Sequence, residues 1–465
     1  MGKNLKLTFW GGVGAVTGAN FLLENSELKI LIDCGLVQDS HAAPEENTRP
    51  FEYDPASINF LFITHAHMDH IGRIPKLVKE GFRGAIYSTP ETREIAPLMF
   101  EDAYKIMELE EREKGIPPLY RSEHVTQTLA LWKTISYHET LTLLAGFSVY
   151  LKDAGHILGS AMYEFSYEDS PPSEKASVGP RKIVFTGDLG NSPTPLLRDT
   201  EPVTDADYLV MESVYGDRNH EPKDERDQKF EDTLKRTIAR GGAVIIPAFS
   251  LERTQVILYE LNKLVESGKI PSVPVFLDSP LAIKVTAVYE RISKYFNDEV
   301  KKQIAQGDDI FNFPKLKFSL KGQDSVAIDK VPNPKIVIAG SGMSTGGRIV
   351  HHELNYLPDS KSTVCLIGYQ ALGTLGRTLQ DGVEEATING ENVPVKAEVV
   401  TIDGYSSHKD SDHLIEFVDG TKNTVKEVFV TMGEPKASLF LVQRLRDYVG
   451  VNAIFPERGK VYELL

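Results

Sequence analysis

The sequence predicts an α/β protein in which a helix-flanked parallel sheet is combined with a region of short strands and turns. Three observations lead to this fold class. Short apolar runs alternate with glycine-bearing turns over the first sixty residues. A strand of the buried type follows at 60–64 and ends on a cluster of histidines. After about residue 217, strand patterns alternate with helix patterns. Strands that alternate with helices pair in parallel, because each helix returns the chain across the sheet.

The N-terminal elements follow from the spacing of apolar residues. Strands are predicted at 5–10, 20–23, 29–33, 60–64, 147–151 and 182–186, and helices at 71–79 and 92–114. A polar segment rich in Pro and Ser at 168–180 predicts a surface loop. This part of the chain therefore reads as a strand-rich domain whose strands end in polar turns.

The middle and the end of the chain have a different organisation. Helices at 224–240, 254–267 and 282–296 alternate with strands at 243–247, 275–278, 335–339 and 363–367. From about residue 407 a short helix, a strand, a helix at 436–448 and a terminal strand form a tail too small for a core of its own. We therefore expect the tail to pack onto the N-terminal domain, with the middle of the chain as an insertion.

Composition excludes several classes of protein. The chain has 465 residues, 41% of them hydrophobic, and 51 Lys and Arg against 66 Asp and Glu give a net charge of −15. This balance argues against a protein that coats nucleic acid through its overall charge. No run approaches the roughly 18 apolar residues of a membrane span, and the two cysteines cannot form a disulfide framework. We expect a cytoplasmic protein that does not bind membranes.

The strongest chemical signal is the segment Thr-His-Ala-His-Met-Asp-His-Ile-Gly at 64–72, placed where a strand ends and a helix begins. It carries His65, His67, Asp69 and His70 within six residues. Neutral imidazole and carboxylate are ligands that zinc prefers where a site keeps an open position for water. Because the chain has only 12 histidines, a chance cluster of surface residues is the weaker interpretation.

Three further segments share this layout of a strand followed by a polar residue on a turn. Asp33 precedes Cys-Gly, His156 follows Ala-Gly, and Asp188 follows Thr-Gly. Each is weak alone, since an aspartate beside glycine is usually a turn former. In this order and together, the four segments resemble the metallo-β-lactamase fold, a four-layered αββα sandwich with a two-metal site at its rim.

The resemblance implies a role for each of these residues. His65, His67 and His156 would bind a first zinc ion. Asp69 and His70 would bind a second one, with Asp188 bridging the two. Asp33 would orient metal ligands without binding metal itself.

The resemblance extends to the β-CASP branch of this superfamily, whose members process nucleic acids. The segments that carry it are Met-Glu-Ser-Val-Tyr-Gly at 211–216, Ser-Gly-Met-Ser-Thr-Gly-Gly-Arg at 341–348, Gly-Thr-Leu-Gly-Arg at 373–377 and Tyr-Ser-Ser-His at 405–408. It implies a metallo-β-lactamase domain formed by 1–212 and 407–465, interrupted by a β-CASP domain at 213–406. It also implies that Glu212 and His408 form a carboxylate–imidazole pair beside the metals.

The function implied is that of a zinc-dependent nuclease that hydrolyses phosphodiester bonds of RNA, as an endonuclease and also from the 5′ end. Metal-activated water would attack phosphorus, His408 would protonate the leaving oxygen, and Asp69, Glu212 and His408 are the predicted catalytic residues. For binding substrate phosphates the candidates are Arg253, Ser341, Arg348, Arg377 and Ser407. Tight turn packing and solvated surface arginines are the alternatives for this last set.

One position departs from the family pattern. Met432 stands before Gly-Glu, where the branch normally has a histidine that completes the second metal site. A thioether is a poor zinc ligand, so we expect a second site that binds metal weakly. The DNA-repair nucleases of the branch also lack this histidine, so a DNA-directed nuclease stays open. A small-molecule metallo-hydrolase, a non-catalytic scaffold and a homodimeric assembly are also left open.

Overall fold

The computed structural model describes residues 5–38, 43–144, 146–168 and 180–464. Most of the loop predicted at 168–180 therefore lies outside the described residues. The chain divides into two compact units. Unit 1 comprises Met1–Thr194, Arg198–Asn219 and His408–Leu465, and unit 2 comprises Pro195–Leu197 and His220–Ser407.

The N-terminal part of unit 1 contributes most of its strands and five helices. The strands are β1 Leu5–Gly11, β2 Asn20–Glu24, β3 Lys29–Ile32, β4 Phe60–Phe62, β5 Ala85–Ser88, β6 Trp132–Thr134, β7 Thr140–Leu144, β8 Phe147–Asp153, β9 Ala161–Tyr167, β10 Arg181–Phe185 and β11 Tyr208–Met211. The helices are α1 Ala43–Thr48, α2 Met68–Ile71, α3 Ile74–Lys79, α4 Pro90–Lys114 and α5 Ser122–Ala130. Helix α4 begins where the Thr89 side chain accepts a hydrogen bond from the Thr92 N–H.

Unit 2 alternates strands and helices. Its strands are β12 Ala243–Pro247, β13 Val275–Asp278, β14 Leu316–Phe318, β15 Lys335–Ala339, β16 Thr363–Leu366, β17 Glu385–Ile388, β18 Glu391–Pro394 and β19 Glu398–Thr401. Its helices are α6 Lys223–Ala239, α7 Arg253–Glu266, α8 Pro280–Arg291, α9 Asp298–Ala305, α10 Gly322–Asp329, α11 Arg348–Tyr356 and α12 Leu375–Gln380. Six strands form a parallel sheet in the order β14-β13-β15-β12-β16-β19, and β17 and β18 form a separate hairpin.

The C-terminal segment completes unit 1. It contains α13 Ser411–Asp419, β20 Glu427–Val430, α14 Pro435–Arg444, β21 Ala453–Ile454 and β22 Val461–Leu464. Strand β22 pairs with β1, and β20 pairs with β11. The two seven-stranded sheets of unit 1 therefore have the orders β22-β1-β2-β3-β4-β5-β6 and β21-β20-β11-β10-β9-β8-β7.

The core of unit 1 lies between its two sheets. Phe9 and Phe62 of the first sheet belong to one buried cluster with Phe165, Phe185 and Phe429 of the second. A second cluster packs the other face of the second sheet against α13 and α14. The Phe100 ring of α4 lies 6.3 Å from the Trp132 ring of β6, on the first sheet. Unit 1 is thus a sandwich of two sheets with helices on the outer faces, as the sequence predicts.

The helices of the described segments were also compared with the requirements of a membrane span. None of them combines the length and apolar character needed to cross a bilayer.

Candidate metal centre

The candidate site forms where several strands of unit 1 end. Strand β4 stops at Phe62, three residues before His65. His67 is the residue that precedes the first turn of α2, and its side chain makes no capping hydrogen bond to that helix. Asp69 and His70 lie on α2 itself. One short turn therefore presents four metal-binding side chains.

Two of the remaining turns require glycine next to the functional residue. Gly155 precedes His156 with φ +67°, and Gly187 precedes Asp188 with φ +54°. A Cβ atom on Gly187 would lie 2.6 Å from the Thr64 Cβ, which is too close for any side chain. These glycines let the turns approach the segment that carries the histidines.

The structure brings three imidazoles and one carboxylate together. The Nε2 atoms of His65 and His156 lie 3.5 and 3.6 Å from Asp188 Oδ2. The His67 Nδ1 atom lies 3.0 Å from His65 Nε2 and 3.3 Å from His156 Nε2. The four ligand atoms lie within 4.8 Å of one another. This set of nitrogen and oxygen donors fits a zinc-type cation.

A second group of donors lies on the other side of Asp188. His70 Nε2 is 3.5 Å from Asp188 Oδ1 and 3.7 Å from Asp69 Oδ2. His70 Nε2 and Asp188 Oδ1 are both buried, and neither has a hydrogen-bond partner among the described residues. Buried polar atoms without partners are costly. A cation between these atoms would satisfy both, so this group also fits a bound metal.

Asp33 orients two of the imidazoles, that of His70 directly and that of His65 through Thr64. Its Oδ2 atom lies 2.7 Å from His70 Nδ1 and accepts the Thr64 hydroxyl at 2.8 Å. The Thr64 Oγ1 atom in turn lies 3.1 Å from His65 Nδ1. With the Nδ1 atoms protonated in this network, both rings present an unprotonated Nε2 to the site, as metal binding requires. Asp33 is therefore placed to select the tautomers and does not itself reach the metal positions.

A carboxylate–imidazole pair adjoins these groups. The His408 Nδ1 atom lies 3.2 and 3.1 Å from the two Glu212 carboxylate oxygens and 3.9 Å from Asp188 Oδ2. Glu212 also accepts the Leu189 N–H at 2.7 Å, so its position is held by the turn that carries Asp188. Asp188, Glu212 and His408 also have ligand atoms within 4.8 Å of one another.

Burial controls the protonation of these groups. Burial lowers the pKa of His65 well below its usual value, and the His70 ring lowers it further, which favours the neutral imidazole that metal binding needs. Burial also raises the pKa of Asp69 to about 6. Burial lowers the pKa of His408, but the Glu212 carboxylate outweighs it and leaves the pKa above its usual value. Glu212 is therefore suited to keep a proton on His408 near neutral pH.

Met432 lies in the turn after β20. Its side chain is 1% exposed and belongs to the buried cluster between the sheets. The sulfur lies 2.5 Å from the place where a Cβ on Gly12 would stand, and the Met432 N–H donates to the Gly12 carbonyl at 2.7 Å. The thioether therefore takes part in apolar packing, and the second donor group consists of Asp69, His70 and Asp188.

The residues predicted to contact substrate lie in unit 2 and have varied surroundings. Arg253 donates to the Ser407 Oγ at 3.0 Å. The Ser341 hydroxyl accepts the Thr345 N–H at 3.0 Å. Arg377 donates to Asp381, one turn along the same helix, at 2.9 Å.

The Arg348 guanidinium is surrounded by three hydrogen-bond acceptors. It donates to Asp278 at 2.7 Å, to the Ser319 carbonyl at 2.8 Å and to the Leu320 carbonyl at 3.1 Å. An arginine with three acceptors in fixed positions is typical of a residue that stabilises the fold, here that of unit 2. Its suitability for a phosphate is correspondingly reduced.

Thr64 also belongs to the site, although no pattern in the sequence marks it as a functional residue. Its hydroxyl connects Asp33 to the His65 ring, and its N–H donates to Asp33 Oδ1 at 2.8 Å. The available signal was its position, directly before His65 at the end of a buried strand. A threonine at the end of a strand is common, so the pattern alone did not indicate a link between metal ligands.

Family models match three regions of the chain. Residues 13–146 match the metallo-beta-lactamase superfamily, residues 254–379 match the Beta-Casp domain, and residues 392–456 match the Zn-dependent metallo-hydrolase RNA specificity domain. The sandwich fold and the donor groups described above agree with these matches. They define the class of the protein as a metallo-hydrolase with a β-CASP insertion.

Whole-chain comparisons agree. The chain is similar to Ribonuclease TTHA0252 of Thermus thermophilus, with 35% identity over 90% of this chain and 92% of that protein. It is 30% identical to an RNase J-like protein of Methanocaldococcus jannaschii, over 98% of this chain and 99% of that one. It is 32% identical to Transcription termination factor FttA of Methanosarcina mazei, over 94% of this chain and 68% of that one. The chain belongs to the β-CASP family of the metallo-β-lactamase superfamily.

A solved structure shares the fold. A protein of unknown function from Enterococcus faecalis aligns over 99% of this chain and 100% of that one, with a TM-score of 0.54 and 13% sequence identity.

Proposed function

We propose that this protein is a zinc-dependent ribonuclease that hydrolyses phosphodiester bonds. The observation that carries the proposal is the position of Asp188: its carboxylate faces His65 and His156 on one side and His70 on the other, and lies 3.9 Å from His408. The proposed metal ligands and the proposed proton donor, His408, thus lie beside the same carboxylate, that of Asp188. The names of two similar proteins, one a ribonuclease and the other an RNase J-like protein, support RNA as the substrate.

In this proposal the residues of unit 1 have separate tasks. Bound zinc would supply positive charge for the phosphate oxygens and lower the pKa of water. His65, His67 and His156 hold the metal, and Asp33 and Thr64 keep the His65 and His70 rings in the tautomers that bind it. The partly buried Asp69 carboxylate completes the second group of donors.

His408 is the proposed general acid. Glu212 faces its Nδ1 atom, so a proton on that nitrogen is shared with the carboxylate and Nε2–H is left to donate to the leaving oxygen. The Glu212 carboxylate raises the pKa of His408, which favours the protonated imidazole that a general acid requires. Glu212 therefore has the role of a positioning and charge-stabilising group.

We further propose that the protein binds two zinc ions with unequal affinity. The first group offers four donors, three of them imidazoles. The second offers His70, Asp69 and the other oxygen of Asp188. Because Met432 is packed in the apolar core, a fourth protein donor is missing from the second group, and this ion should exchange more readily.

The experiment combines metal analysis with cleavage of defined substrates. Purified protein is assayed for bound zinc and then incubated with 5′-labelled single-stranded RNA, the DNA of the same sequence, and a panel of small esters. The proposal expects bound zinc and cleavage of RNA into fragments with a 5′-phosphate and a 3′-hydroxyl. Cleavage of the DNA alone, or of the esters alone, would contradict it, as would a zinc-free protein that cleaves nothing.

A further inference from the structure

Lys409 is a buried lysine that directly follows His408. The residue is 6% exposed, and its Nζ donates to the Gly190 carbonyl at 2.8 Å and approaches the Ser192 hydroxyl at 3.2 Å. Its backbone N–H donates to the Leu189 carbonyl at 2.9 Å. All three acceptors follow Asp188 within four residues. Lys409 therefore joins the segment that carries His408 to the turn that carries Asp188.

The burial of this ammonium is costly and its partners are neutral. Burial lowers the pKa of Lys409, while the charges of Asp199 and Glu212 oppose that change. Within the described part of the chain the ammonium forms no ion pair; its hydrogen-bond acceptors are the Gly190 carbonyl and the Ser192 hydroxyl. An apolar side chain of similar length would be cheaper to bury. The lysine thus adds directed hydrogen bonds where apolar packing alone would fill the space.

The turn that it holds is in contact with other parts of the site. Gly190 donates to the Ala154 carbonyl at 2.8 Å, and a Cβ on Gly190 would lie 2.0 Å from the Gly155 carbonyl oxygen, so the turn packs directly against the segment leading to His156. Gly190 also forms an isolated antiparallel bridge with His408. A displacement of this turn would therefore alter the position of Asp188 relative to both His156 and His408.

Besides the bridge between Gly190 and His408, two residues hold the turn against the His408 segment. One is Glu212, which accepts the Leu189 N–H and faces the His408 ring. The other is Lys409, through its ammonium and its backbone N–H. Glu212 contacts the ring, whereas the Lys409 ammonium contacts the Gly190 carbonyl, so a substitution of Lys409 removes the ammonium bonds and leaves both the carboxylate–imidazole pair and the backbone bond to Leu189 in place.

We propose that Lys409 is a positioning residue that fixes the Asp188 turn against the His408 segment, and so sets the distance between the shared metal-binding carboxylate and the general acid. This inference rests on the proposed function, because it assigns the aligned groups the roles given there. In this role Lys409 neither contacts the reacting atoms nor binds the metal.

The test replaces Lys409 with methionine, which keeps an unbranched side chain and removes the ammonium donors. We expect kcat for RNA cleavage to fall by about 10- to 100-fold, because small displacements of catalytic groups have effects of this size, with KM little changed. Zinc affinity, measured by competition with a chromophoric chelator, should fall by about 10-fold, as for other residues that support metal ligands. Lys79→Met is the matched control, because Lys79 also donates to one backbone carbonyl, that of Leu119, at 3.0 Å.

The measurements separate this inference from the proposed function. If the wild-type protein does not cleave RNA but Lys409→Met still weakens zinc binding relative to Lys79→Met, the positioning role stands and the proposed function fails. If the wild-type protein cleaves RNA and Lys409→Met changes neither kcat nor zinc affinity, the positioning role is overturned.

A milder variant covers the case in which Lys409→Met does not fold. Ser192→Ala removes the side-chain acceptor of the Lys409 ammonium and leaves its backbone acceptor, the Gly190 carbonyl, in place. It should lower kcat and zinc affinity in the same direction by a smaller factor. Unchanged values for both quantities in folded Ser192→Ala would overturn the proposal.

Discussion

Replacing Asp33 with asparagine should disturb the tautomers of two metal-facing imidazoles. Asp33 is completely buried, its Oδ1 accepts the Thr64 N–H, and its Oδ2 faces the Thr64 hydroxyl and His70 Nδ1. Asparagine has nearly the same shape and tolerates the φ of +57° at this position. It offers only one acceptor oxygen, however, and if the Thr64 N–H keeps that oxygen, an NH₂ group points at the Thr64 hydroxyl and the His70 ring.

The consequence for His70 follows from its two nitrogens. With a donor facing Nδ1, the ring is favoured in the tautomer that carries its proton on Nε2, the atom that faces Asp69 and Asp188. A protonated nitrogen cannot bind a metal. His65 is affected in the same direction, because its Nδ1 is connected to Asp33 through Thr64.

The magnitude can be estimated from comparable sites. Loss of a group that orients metal-binding histidines costs about 10- to 100-fold in metal affinity, and loss of a hydrogen bond to a charged group costs about 1.5–3 kcal/mol of folding free energy. We therefore expect Asp33→Asn to bind zinc at least about 10-fold more weakly, with the stability loss measured separately on metal-free protein by urea unfolding.

Asp278→Asn provides the matched control. Asp278 is also completely buried and accepts from a histidine, a serine and an arginine, but it lies in unit 2: its partners are His352 at 2.8 Å, Ser325 at 2.6 Å and Arg348 at 2.7 Å. It should lose stability and keep the zinc affinity of the wild type. An Asp33→Asn protein that binds zinc as tightly as the wild type, with the same stoichiometry, would refute the assigned role of Asp33.

The remaining predictions concern the other groups of the site. Asp69→Ala should abolish RNA cleavage in a protein that unfolds like the wild type, and retained cleavage would remove Asp69 from the site. His408→Ala should slow single-turnover cleavage by about 10²–10⁴-fold, as expected for a lost general acid, and a slowing that comes only from lost zinc would contradict that role. Because Glu212 raises the pKa of His408 above its usual 6.5, cleavage should persist above that pH and decline as the pH passes the raised value; Glu212→Gln should move the decline to lower pH. Because the Met432 side chain is packed in the apolar cluster between the sheets, Met432→His should leave the affinity of the more exchangeable zinc ion unchanged in a chelator titration, and a tighter ion would show that this position reaches the second donor group.

The sequence predicted several elements closely and missed others. The helix predicted at 92–114 is α4, which begins two residues earlier because Thr89 caps it and Pro90 occupies its first turn. The helix predicted at 71–79 is two helices, Met68–Ile71 and Ile74–Lys79, and the first of them carries Asp69 and His70. Strand β9, Ala161–Tyr167, was not predicted, although polar and apolar residues alternate from Tyr163 to Tyr167.

The structure brings some of the predicted site residues together and gives others a different environment. The histidines and carboxylates of unit 1 come within hydrogen-bonding or metal-binding distance of one another, as the motif spacing implied. In unit 2, Arg348 is held by Asp278, which comes 70 positions earlier in the chain. No local pattern distinguishes an arginine that binds a phosphate from one that stabilises a buried aspartate. The metal-binding and catalytic roles of the unit 1 histidines and carboxylates stay predictions until the experiments above are made.

The sequence by itself determined which donors are present and that each follows a strand, because apolar periodicity, glycine and residue type are local properties. Only the tertiary structure decided the distances between His65, His156 and Asp188, since pairing among distant strands sets them. It also decided that Thr64 links Asp33 to His65 and that the Lys409 ammonium lies against Gly190. Such contacts depend on the direction of individual side chains after burial, and a residue's neighbours in the chain carry no information about that direction.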